Sequence, residues 1–274
     1  MRQGFPSMPL SSSSEPKKGA EGTANLEENE SLLFFERLAN PRIRTQLLDL
    51  LYKGEEMAAG QDYTEILEED GENVQFVDKL YVPKSRQQVA EELEQRIRVV
   101  EGYTPIEFSD KMPTAESMTV GEWKIYGKLL TVKQKSIAEA HEKGHVIRPF
   151  DERFPFFNEY FQSGFDLSVS VFTDEEIEEL RKQGDNGPEI PTEHIIEGGM
   201  LYLFSAMEIA ERMAQLKNYF GMKGDEQLTA EQLAHARAHY VEDTGLDNNM
   251  TSFFKAITPQ TEKRFLELIN TSGI

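Results

Sequence analysis

Cysteine is absent from the 274 residues, which excludes disulfides, thiolate nucleophiles and cysteine-ligated zinc or iron–sulfur centres. Basic residues are scarce. Against 49 Asp and Glu there are 29 Lys and Arg, a net charge of −20, and this repels phosphate backbones and anionic bilayers. Neither a nucleic-acid nor a membrane partner is expected. Long apolar runs are also missing. The most apolar stretch, Met200 to Met207, is far short of the ~20 residues that span a bilayer. Residues 1–30 lack a basic start followed by an apolar stretch, so no signal peptide is expected, and a cytoplasmic location or the interior of a virion or large assembly fits best. No phosphate-binding glycine loop, dinucleotide fingerprint, nucleophile elbow or EF-hand loop occurs.

What is present suggests an α+β chain, predominantly helical. Residues 1–28 are rich in Ser, Glu, Gly, Pro and Lys and read as a disordered arm, with Phe5, Met8 and Leu10 as its few apolar side chains. A body follows over 29–183. Asn40-Pro41 opens a helix whose stripe Ile43, Leu47, Leu48, Leu50 and Leu51 is expected to end at Gly54. Asp70-Gly71 suggests a hairpin turn between Tyr63–Glu68 and Val74–Val82, giving a small antiparallel sheet packed with helices. Ser85 with Gln88 caps a helix buried through Val89, Leu93, Ile97 and Val100. Tyr103–Phe108 reads as an edge strand. Thr119 with Glu122 suggests the start of a long helix through Trp123, Tyr126, Leu130, Ile137 and His141. Leu167–Phe172 reads as another strand, followed by an acidic helix capped by Thr173. Gly, Asn and Pro punctuate 184–191, a candidate boundary before an all-helical part over 192–274, which is either separate or continuous with the body. Helices are expected there over Gly199–Phe220, Thr229–Asp243 and from Thr258-Pro259 to Asn270.

One motif has chemical content. His141-Glu142-Lys143-Gly144-His145 fits the zinc-peptidase pattern H-E-x-x-H, in which two histidines on one helical face bind the metal and the glutamate acts as general base. From His141 to Asp151 the run resembles the metzincin form, with Gly144 and Val146 in place and Asp151 where the third ligand falls. The resemblance implies a zinc-dependent hydrolase. Arg148 stands where metzincins turn on a glycine, and Pro149 favours extended geometry there. On that ground Gly144 is expected to end the helix, leaving His145 outside it and the imidazoles apart. A third ligand from a downstream glutamate, as in the other main zincin branch, stays open.

His235 and His239 form a second i, i+4 pair, with Glu231 and Glu242 available beside them, and are expected on a solvated face. His194 reads as surface. The block 150–165, with Phe150, Phe154, Phe156, Phe157, Tyr160, Phe161 and Phe165, is expected to serve mainly as core and partly as a partner surface. Met200, Met207 and Met213 also read as core.

The resulting expectation is a non-enzymatic assembly or adaptor protein, without catalytic, cofactor or metal residues. Basic protein partners would be engaged through the arm and segment 150–165, and oligomerisation is possible. The alternative is a zinc-dependent metallohydrolase using 141–145. A weaker third reading is an acidic mimic of nucleic acid.

Overall fold

The computed structural model describes residues 33–69, 73–101, 107–109, 117–120, 123–127, 131–148, 150, 155–175, 177–178, 199–247 and 249–274. The arm over 1–28, the turn at Asp70-Gly71, the boundary at 184–191, Asp151, Phe154 and His194 lie outside these residues.

The chain is predominantly helical. Helix α1 (Pro41–Ala58) is capped by the Asn40 side chain, which accepts from the Arg42 amide, and buries Ile43, Leu47, Leu50 and Leu51. It does not stop at Gly54. Strands β1 (Asp62–Glu69) and β2 (Asn73–Leu80) pair antiparallel, with Asp62 opposite Leu80. Helix α2 (Arg86–Glu101) buries Val89, Leu93, Ile97 and Val100. The Ser85 and Gln88 side chains cap it reciprocally.

The expected long helix from Thr119 is corrected. Residues Ser117–Val120 and Trp123–Gly127 are strands β4 and β5, paired antiparallel, and β3 (Glu107–Ser109) pairs parallel to β5 at the sheet edge. Aromatic and β-branched residues alternating with lysine in Trp123-Lys124-Ile125-Tyr126 suit a pleated strand better than a helix, and that local preference outweighs the capping-box pattern. The helix starts later, as α3 (Val132–Ile147), with a complete capping box between Thr131 and Gln134.

Helix α4 (Pro155–Gln162) follows. Leu167–Phe172 is not a strand: Asp166 accepts from the Ser168 amide and hydroxyl, and its carbonyl accepts from the Val169 amide, holding a turn. The expected helix Gly199–Phe220 is interrupted. Residues 199–203 are helical, then Ser205 starts a new helix, α5 (Ala206–Tyr219), by accepting from the Glu208 amide. Helices α6 (Ala230–Thr244), α7 (Met250–Lys255) and α8 (Glu262–Thr271) complete the C-terminal part. Gly245, with φ of 68°, closes α6 in the left-handed conformation that glycine adopts without strain.

Helix α5 is the hub. It packs against α3, α4 and α6, while α1 packs on α2 and α4. One buried apolar cluster runs from Phe34 through Leu47, Ile97, Phe157, Met213 and Phe253 to Ile274, joining both parts of the chain. Phe150, Phe157, Phe161 and Phe165 belong to it. Among the described aromatic residues of that block, Phe156 and Tyr160 are the half-buried ones, under the Lys53 ammonium.

Candidate metal centre

Two of the three residues at the centre come from α3. On a continuous helix, residues at i and i+4 point the same way, and α3 is continuous through His145. The expectation that Gly144 ends it is overturned. The helix stops instead at Ile147, and Arg148, the residue before Pro149, leaves helical geometry with φ of −115° and ψ of 72°. The imidazoles converge, with ring centroids 4.7 Å apart at 86° and the two Nε2 atoms 3.0 Å apart.

Gly144 has a packing role. A methyl group on its Cα would overlap the Glu211 carboxylate and the Arg148 guanidinium. Arg148 Nε donates to Glu211 Oε1 at 3.0 Å, its Nη2 donates to Oε2, and both residues are fully buried. This bidentate pair fixes the end of α3 against α5.

The third residue comes from α5. Glu208 Oε2 lies 3.6 Å from His141 Nε2, and Glu208 Oε1 lies 3.6 Å from His145 Nε2. Donor atoms of the three residues all fall within 4.8 Å of one another. Tetrahedral bonds of about 2.1 Å need donors about 3.4 Å apart, and separations of 3.0 and 3.6 Å bracket that spacing. Two imidazoles and one carboxylate are the donor set of catalytic rather than structural zinc, because three protein ligands leave a fourth position open. The rings keep 12 % and 15 % of their side-chain surface exposed and Glu208 only 3 %, so solvent reaches the cluster past the rings.

The surroundings suit a cation. Burial holds His141 well below its ordinary pKa, helped by the charges of His145 and Arg212, so the ring is neutral and its nitrogen available at pH 7. The Gln215 side chain on α5 is the neighbour that favours the charged ring. His141 Nδ1 and Gln215 Oε1 are both buried, and neither meets a partner at hydrogen-bond distance. Burial raises the Glu208 pKa, against which Arg212, donating at 3.1 Å to Oε2, and the Tyr202 hydroxyl favour the carboxylate. Glu142 is buried on the same helix and bears electrostatically on both Glu211 and Tyr202.

The other candidates do not assemble. His235 and His239 lie exposed on α6 and face different carboxylates, Asp243 at 3.6 Å and Glu242 at 3.7 Å. Among the described residues, His141, His145 and Glu208 are the only three such side chains grouped to hold a metal ion.

Glu208, Tyr202, Arg148, Glu211, Arg212 and Gln215 were not singled out by the motif. A signal for four of them exists. Residues 208, 211, 212 and 215 recur at i, i+3, i+4 and i+7 as a polar stripe on a stretch, Ala206 to Leu216, that is otherwise Ala, Ile, Met and Leu. Such a stripe on a buried helix must meet partners.

No family model, no curated protein and no solved structure matches this chain. No helix among the described residues is long and apolar enough to cross a membrane.

Proposed function

We propose that this protein is a metal-dependent hydrolase, zinc being the cation its donors suit, with His141, His145 and Glu208 as ligands and Glu142 as general base. The observation that carries this reading is the convergence of three donors from two helices at metal-binding spacing, beside the glutamate that the H-E-x-x-H pattern requires. Held there, such a cation would polarise a carbonyl and acidify a water. Glu142 would take a proton from the attacking water as its oxygen bonds to the carbonyl carbon, and would return it to the leaving nitrogen as the C–N bond breaks. The charge of −20 favours polypeptides of neutral or positive charge over polyphosphates as substrates.

The test uses the whole protein purified without chelator. Wild type is expected to hold one equivalent of zinc by elemental mass spectrometry, and Glu208→Ala to lose it. Glu142→Gln should keep the zinc but lose hydrolysis of unfolded casein. Substoichiometric zinc, with a melting temperature indifferent to both chelator and zinc, would end this reading and leave the assembly or adaptor role.

A further inference from the structure

The hydrogen-bonding groups around Glu208 divide into two kinds. Arg212 approaches from the interior, is 4 % exposed, and is committed to Glu208 Oε2. Tyr202 is 60 % exposed, yet its hydroxyl reaches the Glu208 carboxylate. The break between the two helical segments makes this possible. The Ser205 amide donates to the Tyr202 carbonyl at 3.1 Å, while Ser205 Oγ accepts from the Glu208 amide, so Tyr202 sits directly ahead of the turn that presents Glu208. Leu201, next to it in the chain, is 63 % exposed.

Of the described groups touching Glu208, namely His141, His145, Arg212 and Tyr202, the two histidines would be ligands and Arg212 is enclosed. Only Tyr202 offers a donor that a molecule arriving from solvent can meet. A divalent cation held by Glu208 would share the charge of the carboxylate and weaken it as an acceptor, leaving the Tyr202 hydroxyl able to donate elsewhere.

We infer that Tyr202 is the substrate-facing hydrogen-bond donor of this centre, giving its O–H to the carbonyl oxygen on which negative charge develops during hydrolysis. This rests on the metal-hydrolase reading above. That role needs a neutral phenol, which is the ordinary state of a tyrosine side chain at physiological pH.

The test needs no knowledge of the natural substrate. Acetohydroxamate binds zinc through a charged oxygen and a carbonyl oxygen, as a hydrolytic transition state would. Its Kd is measured by calorimetry on zinc-loaded wild type and Tyr202→Phe, and the zinc Kd of each is measured by competition with a chromophoric chelator. The expected result is acetohydroxamate binding weakened about tenfold or more in Tyr202→Phe, with zinc affinity unchanged within about threefold. An unchanged acetohydroxamate Kd overturns the inference. So does a parallel loss of zinc affinity, which would make Tyr202 a positioning residue for Glu208 alone. Failure of wild type to take up zinc defeats the metal-hydrolase reading itself and is seen before any variant is compared.

Discussion

His141 is the side chain whose environment says most about how the centre would behave. Its burial favours the neutral ring, and a neutral ring is what a metal requires. A group whose pKa is depressed by folding does not compete with the cation for a proton until the pH falls well below 6.5, the ordinary histidine value. Zinc affinity measured by equilibrium dialysis is therefore expected to hold nearly constant from pH 8 to 6.5. A tenfold fall across that interval would show that an ordinary histidine titration governs binding. The motif itself was legible in the sequence, since five letters name two candidate ligands and a candidate base. The third candidate was not, because Glu208 is one of 49 acidic residues and only the packing of α5 on α3 distinguishes it.

At the scale of elements, two glycines decide the geometry, and both look like helix terminators when read from sequence. Gly54 lies inside α1 and Gly144 inside α3. In each case the missing Cβ makes room for a neighbour: the Phe157 ring at Gly54 and the Arg148–Glu211 pair at Gly144. Helix propensity alone would make either Gly→Ala change stabilising by about 1 kcal/mol. Packing predicts the opposite sign. Gly54→Ala places a Cβ 2.5 Å from Phe157 Cζ, and urea unfolding should show a loss of about 1–3 kcal/mol. Gly144→Ala pushes the two buried ions apart and should cost on the order of 3 kcal/mol, with weakened zinc uptake because α3 shifts on α5. A stabilised Gly144→Ala variant would mean that the helices are not held as described. The sequence supplied the caps at Ser85 and Thr229 correctly, because a capping box is a local interaction, but placed one at Thr119 where the chain is a strand, the cap of α3 being Thr131. It misplaced the ends of α1 and α3 because close approach between helices is not local.

Across the whole molecule, an acidic chain encloses an unusual number of buried cations. Arg37, Arg148, Arg212 and Lys217 are all at most 4 % exposed. Burial lowers the Lys217 pKa from 10.5 to about 7, with Arg37 and Arg148 adding repulsion. A pKa depressed by folding means that the unfolded chain binds the proton more tightly. The contribution of this group is thus complete above pH 10.5 and is lost as the pH falls through 7. Between those limits stability should rise with pH by up to about 1.4 kcal/mol per unit from this side chain. Urea titrations of wild type and Lys217→Met at pH 7, 8 and 9 would isolate it, since the variant lacks that part of the slope. Equal slopes in the two proteins would show that Lys217 is hydrated. The sequence counted these charges without placing them. Their burial follows from α5, which reads as an apolar helix carrying a few polar residues and proves to be the axis of the core.

The Arg148–Glu211 clamp has a consequence for how this centre would acquire its ion. Helices that carry the donors are joined by an ion pair that does not involve them, and by a core running the length of the chain. Folding sets the donor spacing, so a cation would be a guest in a finished receptacle. In a zinc finger, by contrast, binding and folding are one event. Protein stripped by chelator should keep its helical circular dichroism and a cooperative melt, and regain only the increment that mass action allows, about 4 kcal/mol at a thousandfold excess over Kd. A receptacle of this kind can be emptied and refilled without being rebuilt, so occupancy would track the surrounding free-metal concentration while the scaffold persists.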